Sequence, residues 1–198
     1  MKILITGFSA FLKNKENPTQ EVLKLLPKSI YGNELIKVEL PVVYDECFTM
    51  LIPIIENTNP DIIINLGLAG ERKTISLERI AININDSKSM DNKGNKLIDR
   101  VIVPSGENAY FSTLPLRKII KNIEEKKIPV EISSSAGTYV CNNLMYHVLH
   151  YIKENDLKIK AGFIHVPFMS EQLDDENISS LPLSIILEAI IDAIKACL

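Results

Sequence analysis

Apolar positions along the chain gather into short runs that alternate with helical patterns. Lys2–Thr6, Leu35–Val43, Asp61–Leu68, Leu77–Asn85, Pro129–Ser134 and Lys160–Val166 are rich in Ile and Val. Several are apolar at successive positions, as strands buried on both faces should be. Five helical segments lie between them. Asn17-Pro18 announces the first, an N-cap residue followed by Pro at the first helical position. The others cover about Tyr44–Asn57, Ser112–Lys127, Tyr139–Glu154 and Leu181–Ala196.

This alternation predicts an α/β domain of three layers with a mostly parallel central sheet. The polar stretch Asp86–Ala109 has no hydrophobic pattern of its own and reads as a long loop of the kind that covers an active site. With 198 residues, no internal repeat and no linker-like tract, the chain is expected to form a single domain over 1–198.

Composition narrows the functional classes. An apolar fraction of 46% and a charged fraction of 24% are ordinary for a soluble domain, and a net charge of −3 points neither to nucleic acid nor to an anionic membrane. Three scattered cysteines, Cys47, Cys141 and Cys197, form neither a disulfide framework nor zinc-ligand spacing. No metal or other cofactor is expected. The start, "MKILITGF", lacks a signal peptide's apolar region and cleavage site, so a reducing cytoplasmic setting is expected.

Candidate chemistry follows from the rule that open α/β sheets bind ligands at the carboxyl ends of their strands. The rule selects Gly7, Phe8 and Phe11 after the first strand, Gly67, Gly70 and Arg72 after the third, Cys141 after the Pro129 strand, and His165 at the end of the Lys160 strand. Cys141 sits near a helix N-terminus, where unpaired N–H groups favour a thiolate. Position alone leaves it either a nucleophile or a buried core cysteine.

A nucleophilic cysteine needs a base. His147 and His150 follow Cys141 on the same helix and project about 240° and 180° away from it. His165 comes from another strand and is the plausible partner, against a reading as a core histidine. Glu71, Glu78 and Asp86 are the nearby carboxylates; Glu78 orients an imidazole or forms a structural ion pair with Arg79. "TGFSAF" lacks the GxGxxG spacing of a dinucleotide turn, and its Phe residues suit a small apolar pocket or a loop anchor.

Together these motifs resemble the pyroglutamyl peptidase type I (pyrrolidone carboxyl peptidase) family of cysteine exopeptidases. The resemblance runs from "MKILITGF" and "NPT" through "PDIIINLGLA", "ISLERIAIN", "DNKG", "AYFSTLP" and "SSAGTYVCN" to "GFIHVPF". It implies an α/β/α sandwich and a Cys141–His165–Glu78 triad that removes N-terminal pyroglutamate from peptides through a thioester, with His165 holding Cys141 as a thiolate. It further implies that Phe8 and Phe11 sandwich the lactam ring, that Asn17, Tyr139 and Val140 line or support the slot, and that Lys88 stands near the oxyanion where the family tends to place Arg. A homo-oligomer is implied as well, with the final helix "LSIILEAIIDAIKACL" either a subunit contact or packed on the sheet.

The chain departs from the family where "GFEPFGG" is replaced by "GFSAFLK", at Ser9, Ala10, Leu12 and Lys13. Those changes leave an alternative, a catalytically weak relative that binds pyroglutamyl peptides.

Overall fold

The computed structural model describes residues 1–11, 16–175 and 177–198. Leu12 and Lys13, two of the departures in the first loop, lie outside the described residues. In chain order the elements are β1 (Lys2–Phe8), α1 (Pro18–Leu25), β2 (Ser29–Ile30), β3 (Asn33–Leu40), α2 (Glu46–Thr58), β4 (Ile62–Leu68), β5 (Ile75–Glu78), β6 (Ile80–Ile82), β7 (Ala109–Phe111), α3 (Leu116–Glu125), β8 (Val130–Ser133), α4 (Val140–Glu154), β9 (Lys160–Val166), β10 (Phe168–Met169), β11 (Ser180–Leu181) and α5 (Leu183–Cys197).

Seven strands form the central sheet in the order β2-β3-β1-β4-β9-β5-β8. Strands β3, β1, β4 and β9 run parallel to one another, and β1, β4 and β9 are buried at successive positions as their Ile-rich runs suggested. Strand β5 runs antiparallel to β9, and β8 follows it in parallel. The reversal has a simple cause. The link between β4 and β5 starts at the carboxyl edge and is too short for the crossover that a parallel strand requires. The chain can only turn back down the sheet.

The expected strand Leu77–Asn85 is two strands. Ile75–Glu78 belongs to the main sheet, whereas Ile80–Ile82 leaves it and pairs with β7 in a separate antiparallel ribbon. Between β6 and β7 the described chain forms only an isolated bridge, Asn85 with Arg100, which agrees with a loop reading for 86–109.

Helices cover both faces. One apolar cluster joins Ile3, Ile5, Ile64, Leu66, Leu77 and Ile164 of the sheet to residues of α1, α3 and α5. The other joins Leu4, Phe8, Ile63, Ala161 and Phe163 to α2 and α4. Successive strand residues point to opposite faces, which is why neighbours such as Phe163 and Ile164 enter different clusters. The final helix buries Ile186, Ala189, Ile190, Ala193 and Ile194 in the first cluster, the packing expected of a helix on the sheet. Among the described residues no helix is long and apolar enough to cross a membrane.

Candidate active site

The face covered by α2 and α4 carries buried polar groups. Thr6, Asn65, Ser76, Glu78, Asn142, Asn143 and His165 are all buried there. His165 lies opposite Gly67 on β4 and opposite Ser76 on β5. Glu78 pairs with Phe163, one diagonal away from His165 on the same face, a separation that a long side chain can span. Its Oε1 accepts a hydrogen bond from His165 Nδ1 at 2.7 Å. A carboxylate partner at Nδ1 fixes the neutral ring's proton there and leaves Nε2 as the acceptor.

Glu78 therefore does not stand at the carboxyl edge with the other candidates. Because β5 is reversed, Glu78 reaches His165 from deeper in the sheet, with its side chain fully buried. Its ion partner is Arg72, whose Nη1 donates to the same Oε1 at 2.5 Å, and not Arg79. Arg79 is exposed on the opposite side, where it borders a surface depression of about 410 Å³ with Arg117, Lys118 and Ile132. Glu71 and Asp86 are both exposed.

Cys141 occupies the second position of α4. The N-cap residue Tyr139 makes no side-chain capping bond, so no cap consumes the N–H groups of the first turn. Asn142 fixes this end of the helix. Its Oδ1 accepts from Ile82 N, while its Nδ2 donates to Ile82 O and Ile84 O. The thiol rests over Gly67, where an added Cβ would come 2.9 Å from Sγ and 2.7 Å from the Phe163 ring. Glycine at position 67 thus lets the helix bring Cys141 down beside the strand partner of His165.

His147 and His150 are engaged elsewhere. His147 stacks on Phe48 and contacts Asp45, and His150 hydrogen-bonds the Tyr110 hydroxyl.

Burial dominates the site's proton affinities. It pushes the Cys141 thiol up to about 12, with the Glu78 charge adding to the rise, against smaller opposite effects of Arg72 and the backbone N–H. Burial also lowers His165 below its ordinary value; Glu78 works against that fall and Arg72 adds to it. Both directions favour a neutral thiol and a neutral imidazole. The helix N-terminus, whose N–H groups favour a thiolate, works against that desolvation.

A narrow apolar slot opens beside Sγ, lined by Phe8, Phe11, Asn17, Val42, Leu68, Tyr139, Val140 and Cys141. Five of these are the residues that the motif comparison placed there. Val42 and Leu68 were missed, although each lies at or just past a strand's carboxyl end, where the ligand rule points. Asn17 is the N-cap of α1: its Oδ1 accepts from Thr19 N and Oγ1, and its Nδ2 donates to Ser9 O. Thr19 Oγ1 in turn accepts from Phe8 N, so Asn17 holds the end of β1 that presents Phe8.

The 86–109 loop closes over the rim. Asn92 donates from its backbone to Val42 O and from its side chain to Ala10 O, and the Tyr139 hydroxyl donates to Met90 O. Buried Asp91 organises this segment by accepting from Tyr44 N, Lys93 N and the Asn95 backbone and amide. Lys88 is exposed on it and does not line the slot. Among the described residues no group of three or more His, Cys, Asp or Glu is placed to hold a metal ion.

Comparison with known proteins places this arrangement. The sequence model of the family described as Pyroglutamyl peptidase matches residues 1–198. The pyrrolidone-carboxylate peptidases of Brachyspira hyodysenteriae and Thermosipho africanus are each 46% identical to the chain, over all of it and over 99% and 97% of their own lengths. Pyroglutamyl peptidase I of Bacillus amyloliquefaciens superposes with a TM-score of 0.95 at 34% identity, covering 99% of this chain and 96% of that one. A mutant pyrrolidone carboxyl peptidase of Pyrococcus furiosus gives the same TM-score at 41% identity, over 100% and 98%. Matched along its whole length in sequence and in fold, the chain belongs to the pyroglutamyl peptidase family.

Proposed function

We propose that this chain removes N-terminal pyroglutamate from peptides, with Cys141 as nucleophile, His165 as general base and acid, and Glu78 as the carboxylate that orients the imidazole. Family membership supports the activity. The observation that carries the assignment of roles is the 2.7 Å bond from His165 Nδ1 to a fully buried Glu78, set beside a thiol that rests over His165's own strand partner.

Burial directs both the thiol and the imidazole toward their neutral forms. As sulfur attacks the carbonyl that links pyroglutamate to the next residue, His165 Nε2 takes the thiol proton. The carbonyl oxygen gains the negative charge, and the uncapped N–H groups at the start of α4 are the donors assigned to stabilise it; removal of one such donor from an oxyanion site typically costs about 10²–10³ in rate. Lys88, expected near this oxygen, is exposed and does not line the slot, and it has no role in the proposed step. The imidazolium, stabilised by Glu78, passes its proton to the leaving amine, and a thioester remains. Water then gives a proton to His165 and its hydroxyl to the acyl carbon. The thioester's C–S bond breaks, pyroglutamate leaves, and the proton returns to sulfur.

Selectivity rests on what the slot lacks. Among the described residues that line it, none carries a charged side chain. An ordinary N-terminal residue would bring an ammonium into it with no counter-charge, a costly desolvation that the uncharged lactam avoids. The reading includes a reducing cytoplasmic setting, which keeps the thiol free, and assembly with further copies of the chain.

Hydrolysis of a pyroglutamyl fluorogenic amide, with the glutamyl amide as control, tests the proposal. Wild type is expected to cleave only the first compound and Cys141→Ser neither. A folded wild type that is inert, yet melts higher in the presence of 5-oxoproline, would make the chain a binder instead.

A further inference from the structure

Arg72 was not among the residues assigned to the triad or the slot, yet it reaches the triad directly. It starts from the turn after β4, where its N–H bonds to Ala69 O, and its side chain is mostly buried. Nη1 donates to Glu78 Oε1 at 2.5 Å, the oxygen that His165 Nδ1 also uses at 2.7 Å. Nη2 donates at 3.0 Å to Ser135 O, in the connection that leads from β8 to Cys141. One planar fork thus joins the acid's strand, the turn after β4 and the segment that delivers the nucleophile. A lysine has no second N–H fixed in that plane. Among the described residues Glu78 Oε2 is buried without a hydrogen-bond partner, so the bonds this carboxylate makes run through its other oxygen.

We infer that Arg72 is a positioning residue of the triad: it neutralises Glu78 and holds its shared oxygen on His165, so that the imidazole stays an uncharged base. The inference rests on the peptidase reading for its purpose, but its effect on His165 is measurable without turnover. Without Arg72, a buried carboxylate would face His165 alone, and the proton shared by such a pair would reside on the imidazole to higher pH. With it, the carboxylate's charge is already balanced. The direction agrees with the lowering effect of Arg72 on His165. The other ionisable groups around this point are few. Cys141 approaches from α4, feeling the charges of Glu78 and Arg72. Glu131 on β8 is turned to Ser76 and Thr74, whose hydroxyls it accepts from at 3.0 Å.

The sign of the pH effect follows. His165 must be neutral to take the thiol proton, so activity falls as pH drops through its midpoint, which lies below the ordinary value of about 6.5. Loss of Arg72 raises that midpoint and moves the acid limb upward.

The test is an NMR titration of the three histidine rings in wild type, Arg72→Gln and Arg72→Lys, with the His165 signal identified by its absence in His165→Ala. Hydrolysis of the pyroglutamyl amide is followed over the same pH range. Arg72→Gln is expected to raise the His165 midpoint by about one unit, so that kcat/KM well below the midpoint falls by about tenfold through protonation alone. Arg72→Lys restores the charge and is expected to hold the midpoint within a few tenths of wild type, with a smaller loss of kcat.

A folded Arg72→Gln protein with an unmoved His165 midpoint overturns the inference, as does a lysine variant that shifts as far as glutamine. Should Arg72→Gln fail to fold, the Arg72→Gln/Glu78→Gln variant, which lacks both charges, is expected to recover the fold. A double variant as damaged as the single one also overturns the inference. Absent hydrolysis with a shifted midpoint would remove the peptidase reading and leave the role of Arg72 standing.

Discussion

The two faces of the central sheet are built from the same strands and serve different ends. Beneath α1, α3 and α5 the sheet is aliphatic, with Ile3, Ile5, Ile62, Ile64, Leu66, Ile75, Leu77, Ile164 and Val166 in one apolar cluster. Its buried charge is Asp192 on α5, which is held by Lys195. Beneath α4 the same strands present Thr6, Asn65, Ser76, Glu78 and His165. Each of these side chains makes at least one hydrogen bond, with Glu78 using only Oε1: Thr6 Oγ1 donates to Asn65 Oδ1 at 2.9 Å, and Asn65 Nδ2 donates to Gly162 O at 3.1 Å. Alternation along a strand lets one face supply the burial that stabilises the domain while the other holds charge that only a stable domain can keep out of water.

Adjacent residues of β9 give the sharpest way to break that comparison. His165→Ala is expected to lower kcat/KM by at least about 10³-fold with little change in melting temperature, since Glu78 keeps Arg72 as its partner. Ile164→Ala, one residue away and fully buried, is expected to cost about 2–5 kcal/mol of stability while the folded fraction keeps its activity. Denaturant melts and steady-state kinetics on both variants check this. If the two substitutions damaged stability and rate alike, the faces would not be separate in function.

A subtler change blurs the two roles on purpose. Gly67→Ala would place a methyl group against both the Phe163 ring and Cys141 Sγ. Overpacking of this kind costs about 1–3 kcal/mol, and displacing a nucleophile by about 1 Å can cost about 10² in rate. The variant should therefore lose more in kcat/KM than its melt suggests, by the same two measurements.

Much of this was legible from residue order. Runs such as Asp61–Leu68 and Lys160–Val166 read as buried strands, and the first turn of α4 marked Cys141 as a candidate. The reversal of β5 was also written in the chain, in the short link between β4 and β5, but the expected strand Leu77–Asn85 hid it. No Gly or Pro marks the break at Arg79. Once β5 ends at Glu78, alternation alone puts Glu78 and Arg79 on opposite faces and removes Arg79 as a partner. Arg72 could not be chosen that way, because its approach depends on how the turn after β4 folds back. The rim was equally hidden: the bonds from Asn92 to Ala10 and from Tyr139 to Met90 join residues 82 and 49 apart in the chain.

The central claim, that the polar face carries a cysteine nucleophile, is tested most directly by trapping the acyl-enzyme. Wild type mixed with an activated pyroglutamyl ester, quenched in acid within the first turnover and digested, should yield one pyroglutamyl group on the peptide that contains Cys141. The label should be absent from Cys141→Ser and should disappear when the quench is delayed past turnover. Turnover of the ester with an unlabelled Cys141 peptide at every quench time, or a label on Cys47 or Cys197 instead, would contradict the account.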